Sequence, residues 1–140
     1  MRALLVIHAV SASVLVASAT HHLIWCLRRR GTRLFAVVAA SAYAATFLVG
    51  LVMYPGYKLH VRAEYFDRGG SGLAWVARLF DIKEMWMLVG VALAGALVLL
   101  SRERDSRTRP LYVGLAALLF VSVWGAALMG RVVTSYKAVG

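Results

Sequence analysis

Four stretches of this chain, residues 4–27, 34–54, 82–100 and 111–130, are long and apolar enough to read as helices dissolved in hydrocarbon. A bilayer core of about 30 Å needs about 20 helical residues to cross it, and the first stretch would span roughly 36 Å as a helix. Of the 140 residues, 61% are hydrophobic and the mean hydropathy is +0.75, more than the core of a soluble domain this small can hide. The expected fold is a single all-α integral membrane domain. It is a four-transmembrane-helix bundle with an extracytoplasmic amphipathic segment, residues 55–81, between helices two and three. Helix packing is expected along small residues spaced by four. These are Ala36, Ala40 and Ala44 in the second helix, Ala92 and Ala96 in the third, and Ser122 and Ala126 in the fourth.

The net charge of +10 first suggests nucleic acid, but no basic groove interleaved with aromatics is visible, and a nucleic-acid partner is not expected. The arginines instead cluster between apolar runs. Residues 28–33 and 101–110 together hold eight of them. Both loops fall on one side of a four-helix topology, so the charge rule makes that side cytoplasmic. Both termini and the central segment are then outside an inner membrane. A competing reading makes the first run a cleaved signal peptide, with Ala17-Ser-Ala19 as the cleavage site. Cleavage would carry Arg28–Arg30 and Arg33 to the outer face, against the charge rule. The single cysteine, Cys26, excludes an internal disulfide and any paired-cysteine redox or haem-attachment motif.

Chemistry concentrates between Met53 and Met85, which enclose four of the six carboxylates. Pro55 and Gly56 should end the second helix. Beyond them Leu59, Ala63 and Phe66 form an apolar stripe at α-helical spacing, and His60, Glu64 and Asp67 a polar one. The polar stripe is a candidate metal site, since His, Glu and Asp on one face can share a cation. The plainer alternative is an interfacial helix paired through Arg62 and Arg68, with Tyr54 and Tyr57 at headgroup level. After the glycines of residues 69–72, Asp81 to Glu84 reads as a capping box opening the third helix. Lys83 and Glu84 also stand at the helix mouth, where ionisable groups are functional candidates by default.

His8 and His22 lie fourteen residues apart on one helix, facing nearly the same way and about 21 Å apart along its axis. This spacing resembles that with which membrane b-type cytochromes hold two haems on one helix, and the resemblance implies haem b. It covers these two residues only. Such a family would carry a matching histidine pair on a second helix, and helices two to four have none. His60 is the remaining candidate partner for His8, as a haem or metal ligand. An inner-side site would need His21 or His22 and a second subunit. Without a cofactor, His21 and His22 would be interfacial and His8 hydrogen-bonded to a neighbouring helix.

A weak echo, Thr32-Arg-Leu-Phe35 against Thr108-Arg-Pro-Leu-Tyr112, hints at two related hairpins. No nucleophile, base and orienting group occur together. The leading expectation is therefore a non-enzymatic accessory or assembly subunit that docks on larger membrane proteins or on copies of itself. The alternative is a b-type haem or metal-binding electron-transfer protein using the histidines of the first helix. A proton or ion conduit through Glu64, Asp67, Asp81 and Glu84 ranks third, because the helix interiors lack carboxylates to continue it.

Overall fold

The computed structural model describes residues 2–68, 72–102 and 107–138, apart from the side chains of residues 2, 64, 65, 137 and 138. The described residues form α1 (Arg2–Leu27), α2 (Arg33–Tyr57), a π-helical segment (Lys58–Phe66), α3 (Ala74–Leu100) and α4 (Arg109–Ala138). Four helices, α2 counted with its π extension, are long and apolar enough to cross a membrane. They form a four-sided bundle in which α1 packs on α2 and α4, and α3 packs on α2 and α4. α1 and α3 are thus diagonal. The arginine-rich linkers lie at one end, the π segment and the start of α3 at the other.

Large apolar side chains point outward around the whole bundle, among them Val6, Leu48, Leu99 and Leu128. The interior is built from small residues and a few wedges. Leu15, Ala19 and Cys26 of α1 meet Ala42 and Tyr43 of α2, Ala94 and Leu97 of α3, and Ala116, Leu119 and Val123 of α4. On α4 the expected pair Ser122 and Ala126 is buried. On α2 and α3 the interior follows the expected stripe in part, with Ala36 buried and Ala40 and Ala96 half-buried, and departs from it in part. Ala44 and Ala92 are exposed, while Thr46, Gly90 and Ala94 face inward.

Tyr43 decides that departure. Its side chain, 1% exposed, lies across Gly90, and its hydroxyl donates to the Met87 carbonyl at 3.0 Å. A β-carbon at Gly90 would stand 2.0 Å from that hydroxyl oxygen and 2.4 Å from Cζ. Only glycine leaves room for the ring.

α1 ends at a Schellman-type turn, in which the Arg30 amide donates to Trp25 and that of Arg29 to Cys26. Arg29 holds φ 57° there, a left-handed position usually given to glycine.

The π end departs most from the sequence expectations. α2 does not stop at Pro55 but runs through it to Tyr57. Proline takes its own amide from the ladder and crowds the carbonyl four residues back, and stacking of Tyr57 on Phe80 (4.2 Å, 18°) packs the following turn against α3. The chain then winds wider, with Asp67 donating five residues back to Arg62 at 2.9 Å. In this winding Val61 and Phe66, five apart, share the buried face, while Leu59 is 61% exposed. The expected stripe of Leu59, Ala63 and Phe66 does not form, because it assumed α-helical winding. With Val76, Ala77 and Phe80 of α3 and Val133 of α4, Val61 and Phe66 make a second core.

Gly90→Ala should destabilise the detergent-solubilised protein by about 1–3 kcal/mol through overpacking. Gly95→Ala, with nothing within 4 Å of the new methyl, should be neutral or slightly stabilising. Thermal melts of the two variants check this contrast, and equal melting would rule out the Tyr43 wedge.

Candidate functional site at the π end of the bundle

α3 begins at Ala74 with Leu73 as its N-cap, so Asp81 lies about two turns inside it and cannot cap it. The expected capping box is absent. Asp81 instead forms an ion pair with Arg62 of the π segment, and the Glu84 carboxylate lies beside the Tyr54 hydroxyl of α2. The two acids that seemed to serve their own helix tie α3 to α2 and its extension.

Lys83, between them in sequence, points elsewhere. Its Nζ lies 3.5 Å from the place a β-carbon would take on Gly130 of α4 and 5.8 Å from the centre of the Phe80 ring. Across the bundle, His8 of α1 packs its Cε1 3.6 Å from the β-carbon position of Gly50 on α2. Its ring lies beside the Thr46 backbone and within electrostatic reach of Lys83. His8 Nδ1 and the Tyr57 hydroxyl are buried without a hydrogen-bond partner. One histidine and one tyrosine toward this end thus keep bonding capacity unspent.

Other candidates are dispersed. His60 is exposed on the π segment and Asp67 is exposed just beyond it, and the side chain of Glu64 lies outside the described residues. Among the described residues no three His, Cys, Asp or Glu side chains gather as metal ligands would. His8 faces the bundle interior while His60 faces out.

At the arginine-rich end His22 is turned into the bundle. It is 1% exposed, with Nε2 2.9 Å from the Tyr112 hydroxyl, which also bonds Thr32 Oγ1 at 3.0 Å. α1, α4 and the α1–α2 linker meet in this chain, and burial on the α4 side explains why the ring is drawn inward. His21 is exposed, bonds the Ala17 carbonyl through Nδ1 at 2.8 Å and stacks on Phe35 at 6.0 Å. The echoed aromatics Phe35 and Tyr112 therefore each pack on one of the neighbouring histidines.

Sequence reasoning missed Thr46, Gly50 and Gly130 as parts of the π-end cluster. The available signal was that Gly50 and Gly130 fall near the π end of an apolar run, against His8 and Lys83, with Thr46 one turn deeper. Nothing in their chemistry distinguishes them from packing residues.

The ion pair gives a sharp test against capping. Asp81→Asn should cost as much stability as Asp81→Ala, about 0.5–1 kcal/mol for a partly exposed pair, and a double-mutant cycle with Arg62→Gln should recover most of it as coupling. Capping would instead let Asn substitute without loss.

Comparison with protein-family models, with curated proteins and with solved structures finds no match for this chain.

Proposed function

We propose that the chain is a multi-pass inner-membrane protein that works as an accessory or assembly subunit, docking on larger membrane partners through the helix packing and outer segment of its π end. The observation that carries the reading is the outward face of α3. Ile82, Met85, Trp86 and Val89 line an open apolar groove of about 360 Å³ beside Asp81. Trp and Met are enriched where proteins meet, and the groove is held stiff from behind by the Arg62–Asp81 and Tyr54–Glu84 ties. The arginine-rich linkers support an orientation with both termini and the π end outside.

A single-cysteine panel in a Cys26→Ser background tests both parts. A cysteine at Ser71 should react with impermeant maleimide in intact cells. A photoprobe attached at position 85 should yield protein adducts, heterologous or self, whereas one at the exposed Leu128 should yield lipid adducts alone. Lipid adducts at both positions would remove the docking reading, and protection of Ser71 until lysis would invert the topology.

The second reading, b-type haem, is favoured by one observation: the partnerless Nδ1 of His8 keeps a lone pair or proton free for a ligand. Protein purified from haem-replete cells should then show a Soret band that His8→Ala abolishes. A colourless protein after haemin reconstitution would end that reading.

A further inference from the structure

We infer that the groove between α1 and α4 seats one acyl chain of an anionic glycerophospholipid, whose phosphate is held by Arg28 and Arg30. The groove is open and about 480 Å³ in volume, within the span of small-ligand sites, about 300–1,000 Å³. Alanines line it, Ala12 and Ala17 from α1 and Ala127 from α4, together with the Trp124 indole. From Ala12 to His21 the groove follows roughly 14 Å of helix. That is close to the hydrocarbon depth of one leaflet, about 15 Å.

The lining suits an apolar occupant, because its polar groups are already spent inside the chain. Ser13 donates to the Ala9 carbonyl at 2.9 Å and Thr20 to the Val16 carbonyl at 2.7 Å. The Trp124 indole donates to Thr20 at 3.1 Å, and His21 uses Nδ1 on the Ala17 carbonyl at 2.8 Å. Among the described residues no Asp, Glu, Lys or Arg lines the groove.

Cations stand at one end of it. Along α1 the groove face continues through Ile24 to Arg28, seven and eleven residues beyond Ala17 and both exposed. A run of rings leads the same way. His21 stacks on Phe35 at 6.0 Å, Phe35 meets Trp25 at 4.8 Å, and the Arg30 guanidinium lies 5.8 Å from the centre of the Trp25 ring. Residues 28–33 hold four arginines and no carboxylate, and among the described residues none of the four is ion-paired. A guanidinium offers phosphate two parallel hydrogen bonds, and basic clusters at a membrane surface draw anionic lipid. An apolar slot ending in uncompensated cations fits a lipid with a negative headgroup. A soluble phosphate lacks the tail, and an uncharged lipid lacks the charge.

The inference rests on the membrane reading above, whose failure would show separately as protein released from membranes by carbonate washing. The test is tryptophan quenching of the full-length protein in dioleoyl phosphatidylcholine vesicles. These carry, at equal low fraction, either brominated phosphatidylglycerol or brominated phosphatidylcholine. The Trp124 signal is the difference between this protein and Trp124→Phe. Phosphatidylglycerol should quench it with a relative affinity at least about fivefold above phosphatidylcholine. Arg28→Gln combined with Arg30→Gln should remove that preference, while Arg102→Gln, just beyond the diagonal α3, should leave it. Ala17→Phe fills the groove with the arginines intact and should also remove it, whereas Ala44→Phe, on an exposed position of α2, should not. Soluble glycerol phosphate should not relieve the quenching. Equal quenching by the two lipids, a preference that survives the double arginine variant or Ala17→Phe, its loss in Arg102→Gln, or relief by glycerol phosphate would each overturn the inference. So would a Trp124 that neither lipid quenches, the outcome if a second copy of the chain covers the groove. The arginines are exposed, so their variants decide the matter even if Ala17→Phe fails to fold.

Discussion

Apolar surroundings offer no hydrogen bonds, so polar side chains carried on these helices are driven toward partners within the chain. The bundle is arranged around that requirement. His8 packs α1 on α2 against Gly50, and the Tyr43 hydroxyl joins α2 to α3 through the Met87 carbonyl. Trp124 donates to Thr20 to join α4 to α1, and His22 repeats that junction through Tyr112. Interhelical bonds of this kind average about 0.6 kcal/mol in a membrane. Their value lies less in strength than in register, because each is satisfied at one rotation of its helix and at no other.

The α3–α4 junction is held differently. There small residues let the helices approach, and side chains cross onto them: Trp86 reaches to 3.8 Å of the Gly125 β-carbon position and Lys83 to 3.5 Å of that of Gly130. Lys83 thus sits on the junction that these small residues build.

The broad fold was legible because apolar length alone specifies it, and residues 4–27, 34–54, 82–100 and 111–130 all fall within the observed helices. The π end was not. Pro55 and the Asp81–Glu84 pattern are local signals, and both were outvoted by contacts between distant segments, Tyr57 with Phe80 and Arg62 with Asp81. The winding of Lys58–Phe66 has no signature in residue type, so the stripe read at α-helical spacing named the wrong apolar set. For the site, Lys83, Tyr57 and His8 stood out from the sequence because ionisable and hydrogen-bonding groups are rare in such runs. Their surroundings did not, since these depend on which helices are neighbours. The burial of His22 escaped for the same reason, its partner being on α4.

The wider winding of the π segment also acts as a gear. In an α-helix, residues five apart point roughly 140° away from each other, yet Val61 and Phe66 both enter the second core. Rewinding these nine residues as α-helix would therefore lengthen the segment and swing Phe66 out of its slot, while the Arg62–Asp81 pair holds the middle of the segment to α3. Length along the axis and angle around it are coupled in this stretch. A one-residue insertion or deletion here changes which side chains face the bundle, whereas the same change in a linker alters only its reach.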